Sequence, residues 1–436
     1  MHRLFSLAVK KQARVVFSGD TGQHTGVARG DALRLLEEHS LYRFGQLDHI
    51  RRQQQADYRE VVELAAKQQP QEAFDRLDAL GKVVEPSQLY ETAAGAFLDA
   101  REQGRSALLV APTWGEIEAV TERVRSRLKD QGVIAKKEET VPVFDSLGWT
   151  DAQKRQPSQY VPGQRILFQQ RSGVFRQNEE VEILPAKPDD LHALRVRRED
   201  GSEHVFRPRT GTSFDVGERR EIALAAGDQI LLQANRVKDG LVNGQVATIK
   251  TVKGGKITLD DGRSLPADYH QFSHGYCVTS HASQSRTVDA VFLVASSRSA
   301  AAIHREQFYV SISRGRQECR IFTDDKEVLR TRIQRSTQRQ AALDLVRDAL
   351  AEHGMVPTLQ RPLRPRRKVA PRLRPLSRLS RGGRFSQRMA EMSRSVFHTM
   401  AAWSGRVREA VQPVIEQITG PKPPTIKLPR LPRPRL

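Results

Sequence analysis

Cysteine is almost missing from this chain. Cys277 and Cys319 are the only two in 436 residues and lie far apart, which excludes a disulfide framework and any Cys-rich metal pattern. Both read as small buried hydrophobes. No apolar run approaches the ~20 residues that a membrane-spanning helix requires. The first residues lack the apolar stretch of a secretory signal, so the expected compartment is the cytoplasm. A more telling absence is chemical. The segment G-x-x-x-x-G-K-[ST], whose amides, Lys and hydroxyl hold nucleotide phosphates and Mg²⁺, occurs nowhere. Gly254-Gly-Lys-Ile257 is the nearest approach, and Ile257 cannot ligate a metal ion. No strand ending in an Asp-Glu pair precedes Gly19 either. No metal-ligand set is therefore expected within the chain.

What is present is a strongly uneven charge. The net charge is +20, but the last 83 residues, from Gly354, carry 19 Lys/Arg against 3 Asp/Glu. The body is thus only mildly basic and the high charge reports on a tail. Arg/Pro-rich runs at Arg361–Lys368 and Pro429–Arg435 cannot bury enough apolar surface to offset ordering entropy, so residues 336–436 are expected to be basic and largely disordered. Between those runs, Phe385, Met389, Met392, Val396, Met400, Trp403 and Val407 fall at spacings of three and four. That spacing predicts one amphipathic helix.

The rest of the chain alternates in texture. Leu4, Leu7 and Ala8 have helical spacing, Val15-Val-Phe17 reads as a strand, and a helix is expected from about Gly30 to Glu38. Ala56 to Ala100 is helical and polar, Ala107-Leu-Leu-Val-Ala111 is an all-apolar strand, and Glu116 to Leu128 a helix. Strand, loop and helix in that order mark a parallel α/β unit. From 141 to 274 short alternating segments separated by Asn-Gly and Asp-Gly turns predict an all-β insert of small-barrel type. The α/β texture then resumes with Ala290–Ala295, a helix over His304–Ile312 and the strand Cys319–Thr323.

Several polar clusters follow predicted strands, where ligands bind in open α/β sheets. Gly19-Asp20-Thr-Gly-Gln23 places a carboxylate and an amide in one turn: Gln23 can reach a terminal phosphate, and Asp20 can fix the turn or assist Mg²⁺. Arg51-Arg52 supplies guanidinium forks suited to phosphate. Ser280-His-Ala-Ser-Gln284-Ser-Arg-Thr287 is a hydroxyl-rich turn that lets a nucleic-acid backbone approach closely, with His281 reading as a structural histidine. Tyr309-Val-Ser-Ile-Ser-Arg314-Gly ends a helix on an Arg that can project across a cleft. Each cluster alone is an ordinary turn or solvated pair. Their conjunction is far more specific.

In this order and with the β insert before Ser280, these segments resemble the later motifs of superfamily 1 helicases of the RecD-like, 5′-to-3′ branch. Leu108–Thr113, Trp149-Thr-Asp-Ala-Gln-Lys154 and Tyr160-Val-Pro-Gly163 look like the helicase part of MobF-type conjugative relaxases. The resemblance covers about residues 1–330. It implies a remnant of a first RecA-like lobe over 1–40, and a second lobe built from 41–140 and 275–335. It further implies an SH3-like insert over 141–274. Gln23 would sense the terminal phosphate of ATP, Arg52 and Arg314 would reach that phosphate, and Asp20 would lie beside it. Thr113, Gln284 and Thr287 would line a track for single-stranded DNA. Ser285-Arg286 departs from the family, which carries Gly there. ATP and Mg²⁺ are implied as cofactors, and a polypeptide carrying the other motor half and the conjugation machinery as partners. With the phosphate loop missing, the chain is expected to be inactive as an ATPase alone. A second expectation is a non-enzymatic single-stranded nucleic-acid-binding protein acting through its tail. Membrane contact through the Trp403 helix is a further, minor expectation.

Overall fold

The computed structural model describes residues 2–23, 32–39, 45, 49–185, 193–209 and 212–337. The basic tail and the Trp403 helix, with their expected disorder and amphipathic packing, lie outside these residues. The chain divides into two compact units, Met1–Gly19 with Gly30–Phe44 and Arg339–Leu436, and Asp20–Arg29 with Gly45–Gln338.

In the smaller unit, α1 spans His2–Lys10 and α2 spans Ala32–His39. The strand expected at Val15–Phe17 is not formed: residues 13–19 are irregular, Val16 is 87% exposed, and no strand among the described residues pairs with them. Three apolar residues without a partner strand cannot satisfy their backbone groups as sheet, so β-propensity alone does not make one.

The larger unit begins with α3 (Ala56–Ala66), α4 (Pro70–Ala79), β1 (Val83–Val84), α5 (Leu89–Glu102), β2 (Ala107–Val110) and α6 (Trp114–Asp130). Thr113 starts α6 because its hydroxyl accepts from the Glu116 amide at 3.4 Å, the arrangement that a Thr-x-x-Glu spacing encodes. Arg127 and Lys129 in the last turn oppose the negative end of the helix dipole. An antiparallel insert follows: β3 (Glu139–Ser146), α7 (Asp151–Lys154), β4 (Arg165–Phe168), β5 (Glu180–Ile183), β6 (Leu194–Arg197), β7 (Glu203–Phe206), β8 (Phe214–Leu224), β9 (Gln229–Leu232), β10 (Val246–Lys253), β11 (Lys256–Leu259) and β12 (Phe272–His274). The chain then completes β13 (Cys277–Val278), α8 (Ser280–Ser283), β14 (Val288–Val294), α9 (Arg305–Ile312), β15 (Gly315–Phe322) and α10 (Lys326–Arg332).

Strands β1, β15, β14, β2 and β13 form one sheet in that order, parallel throughout. The mixed α/β architecture with a parallel sheet is therefore as expected. Its apolar runs are sorted by the two-residue period of a strand. Leu108, Val110, Val291 and Leu293 pack with α3, α4 and α9 through Val61, Phe74 and Phe308. Leu109, Phe292 and Val294 pack on the other face with α5 and α6 through Phe97, Ile117 and Val124. Continuous rather than alternating hydrophobicity is what a sheet covered on both faces demands.

The insert is antiparallel but forms two open sheets, β3-β8-β4-β5-β6-β7 and β11-β10-β9-β12, with no ladder closing either. The insert has two cores. Ile222 and Leu224 at one end of β8 join the core of β3 and β9 to β12, whereas Phe214 and Val216 at its other end join a separate core rich in phenylalanine. Between them, a Cβ on Gly217 would collide with the Asp145 carbonyl and the Phe144 ring, so only glycine lets β3 and β8 approach there. Gly254 and Gly255, both at positive φ (56° and 75°), make the two-residue turn that pairs Lys253 with Lys256, a hairpin geometry that requires such angles.

A buried ion pair clamps the insert to α6. Arg125 donates to Asp228 through Nε (2.8 Å) and Nη2 (2.7 Å) and to Glu138 (2.7 Å). Asp228, fully buried, also accepts from the Ala225 amide at 2.8 Å and the Tyr276 hydroxyl at 3.0 Å. Glu138, just before the insert, and Tyr276, just after it, are thereby linked through Arg125 and Asp228.

Candidate functional site

The site is built where α9 ends and β15 begins. The α9 helix stops at Ser313, and Arg314 follows, 2% exposed, with Nε donating to the Val310 carbonyl at 2.7 Å and Nη2 to the Ser313 hydroxyl at 2.7 Å. From the segment before α3, Arg52 Nη1 donates to the Ser313 carbonyl at 2.7 Å, and the Gln53 amide reaches the carbonyls of Ser313 (3.2 Å) and Gly315 (2.7 Å). The Tyr58 hydroxyl donates to the Ile312 carbonyl. The two arginines thus converge on one turn, and among the described residues neither has a carboxylate at ion-pair distance. Burial and the neighbouring Arg52 cation hold the Arg314 guanidinium down to about 10. It stays cationic at neutral pH, yet its charge is poorly compensated, which is what an anion-binding position requires.

One helical turn earlier, the Tyr309 hydroxyl donates to Asp20 Oδ2 at 2.9 Å. Asp20 also accepts from the Gly22 amide and from Gln23 Nε2, each at 2.9 Å, and Gln23 Oε1 accepts from Gln284 Nε2 at 3.3 Å. Burial and the Asp20 carboxylate raise the Tyr309 phenol, so it remains a donor. Asp20, Gln23, Gln284 and Tyr309 therefore form one hydrogen-bonded chain, and Arg52 and Arg314 lie at the end of the same helix.

Two placements differ from expectation. Arg314 precedes β15, and its carbonyl accepts from the amide of Val288, the first residue of β14, at 3.1 Å. The arginine pair thus sits at the amino edge of the parallel sheet, not at its carboxyl edge. The Asp20–Gln23 turn follows no strand, since Val15–Phe17 is irregular. Thr113 is separate, capping α6 at the carboxyl end of β2. Thr287 is exposed and makes no hydrogen bond to the Asp20–Tyr309 chain. Ser285 stands at φ 71°, the left-handed region that favours glycine, which accounts for glycine at this position in the family it resembles. Arg286 turns away from the cluster and donates to the Gly244 carbonyl of the insert at 2.9 Å. His281 is exposed at the surface but its ring is partly desolvated by the surrounding protein, which with the nearby His304 lowers its imidazole. Tyr309 and Gln53 were not singled out from the sequence, although Tyr309 opens the segment that ends on Arg314 and Gln53 follows Arg52 directly. Their signal was adjacency to Arg314 and Arg52.

Two family descriptions match: an AAA domain over residues 1–88 and the viral superfamily 1 RNA helicase core domain over residues 216–323. The conjugal transfer protein TraA of Rhizobium radiobacter is 31% identical over 164 residues, 34% of this chain and 14% of TraA. The multifunctional conjugation protein TraI of Escherichia coli K12 is 21% identical over 398 residues, covering 79% of this chain and 22% of TraI. The chain is similar to the helicase part of conjugative relaxases and spans only a minor share of those relatives. The Pif1 helicase from Bacteroides, solved with ADP-AlF3 and single-stranded DNA, is 14% identical, with 81% of this chain and 72% of that chain covered. Its TM-score of 0.30 lets that likeness carry no argument. No helix among the described residues is long and apolar enough to cross a membrane.

Proposed function

We propose that this chain supplies the arginine-bearing lobe of an ATP-driven, 5′-to-3′ DNA helicase acting in conjugative transfer. In this reading residues 41–140 and 275–335 make one RecA-like lobe, 141–274 stand where that branch carries its SH3-like subdomain, and residues 1–40 belong to the first lobe. ATP and Mg²⁺ supply the phosphoryl chemistry when bound. The observation that carries the reading is the convergence of Arg52 and Arg314 on Ser313, one turn from the Tyr309–Asp20–Gln23 chain. Two guanidinium groups without carboxylate partners among the described residues fit a terminal phosphate, and Gln23 beside Asp20 fits a sensor of it. No group of three His, Cys, Asp or Glu gathers among the described residues, and Asp20 would assist an Mg²⁺ held chiefly by the phosphates. Gln284, bonded to Gln23, would connect that site to single-stranded DNA passing Thr113 and Thr287.

The test is paired. The purified chain should bind an oligo-dT in fluorescence anisotropy and hydrolyse ATP negligibly, with or without DNA. DNA-stimulated turnover at the 1–100 s⁻¹ scale of ordinary phosphoryl-transfer enzymes would overturn it.

A further inference from the structure

Trp114 stands out among the rings of the larger unit. At 43% exposure it is the exposed one, while Tyr90 and Trp149 are half-buried and every other described Phe and Tyr is buried. An indole is the side chain with most to gain from leaving water. It lies immediately after β2 and opens α6, at the carboxyl edge of the parallel sheet, the opposite edge from Arg52 and Arg314. The space beside it is empty: a Cβ on the exposed Gly115 would meet nothing within 4 Å.

A second strand brings charge to the same edge. Glu116, in the first turn of α6, accepts from the amide of Ser296 at 2.6 Å, so the loop after β14 is fastened two residues from Trp114. That loop carries Arg298, which is exposed and makes no ion pair among the described residues. Glu118, one turn beyond Trp114, pairs with Arg220 of β8, burial raises the Glu116 carboxyl, and Asp324 is engaged by the Ser297 amide and hydroxyl. A flat aromatic face with an unpaired guanidinium on the adjoining loop is the chemistry that binds a single strand, the ring taking a base and the cation a phosphate.

We propose that Trp114 is a base-stacking platform and Arg298 a phosphate contact for single-stranded nucleic acid at the carboxyl edge of the parallel sheet. The inference rests on the helicase reading for the identity of the strand, and the two can fail separately. The chain has three tryptophans. Replacing Trp149 and Trp403 by Phe leaves Trp114 as the only emitter, and its fluorescence should be quenched by oligo-dT. Trp114→Ala should weaken oligo-dT binding by roughly fivefold to a hundredfold, the range for losing one stacked base. Trp114→Phe should retain most of the affinity. Against an abasic oligonucleotide of equal length, the parent and Trp114→Ala should bind equally, because only phosphates remain. Arg298→Ala should reduce the slope of log affinity against log salt by about 0.7, whereas Trp114→Ala should leave it unchanged. If Trp114→Ala binds oligo-dT as tightly as the parent and the Trp114 emission does not change, the platform is wrong while DNA binding stands. If the parent does not bind oligo-dT at all, the helicase reading falls with it.

Discussion

Replacing Asp228 by asparagine should release the insert from α6. The carboxylate is fully buried and accepts four hydrogen bonds, two of them from Arg125. An amide of the same shape puts an N–H₂ against two donors and removes the negative charge, leaving Arg125 with Glu138 alone, a carboxylate partly exposed at 31%. Breaking one side of a buried pair costs about 3–5 kcal/mol, because the remaining charge stays desolvated. With a urea slope near ~2 kcal/mol/M, the midpoint should fall by roughly 1.5–2.5 M. Hydrogen exchange should locate the loss in β3, β9 and β12, the strands nearest the crossings. The surface pair Arg236–Asp268, whose carboxylate is 60% exposed, is the control: Asp268→Asn should cost less than about 1 kcal/mol. An Arg125→Met, Asp228→Leu double variant should regain only part of the loss, since an apolar pair needs no charge compensation but leaves the Ala225 amide and Tyr276 hydroxyl without their acceptor. A shift in Asp228→Asn no larger than the control would refute the clamp.

Other outcomes follow from single sites. Ser285→Gly should stabilise the chain by about 0.5–1 kcal/mol in thermal melts, because the left-handed backbone at φ 71° no longer crowds a Cβ; no gain or a loss would contradict the strain. Glu306 is nearly buried; burial alone would raise its carboxyl, but hydrogen bonds from His304 (2.7 Å) and Ser336 (2.5 Å) bring it down to about 2. Its folded pKa lies below the unfolded one, so its contribution is complete above about pH 4.5 and is lost as pH falls toward 2. Glu306→Gln should flatten the stability profile across that window, and an unaltered profile would count against the bonds. Deleting residues 354–436 should shallow the salt dependence of DNA binding, because 19 of the chain's cations leave with that segment; an unchanged slope removes the tail from DNA binding.

Much of the fold was legible where burial on two faces writes continuous apolar runs. Ala107–Ala111 and Ala290–Ala295 read as strands for that reason, and α6 announced itself through Thr113 and Glu116. The edge strands Val83–Val84 and Cys277–Val278 were not legible, since two residues carry no period. Strand β8 was hidden for a different reason. Its middle, Glu218-Arg-Arg-Glu221, is largely exposed between two cores, so its sequence looks like a charged loop. The same bridging divides the insert between two cores, which hairpin signals alone do not reveal. In the site, residue types were legible and their edge was not: α9 descends past the sheet before Arg314 is reached, which only the parallel connection from β14 to β15 dictates. The Asp20–Tyr309 bond joins residues 289 apart, a separation at which no local pattern speaks.

The most direct test of the central claim supplies a polypeptide bearing a phosphate loop and an Asp-Glu strand from a conjugative relaxase to this chain and measures DNA-stimulated ATP hydrolysis. Turnover should arise in the mixture and fall by about 10³–10⁵ with Arg314→Ala, the range for a guanidinium acting on the transferring phosphoryl group, with Arg52→Ala also impaired. Turnover in the mixture that is indifferent to both arginines would contradict the account.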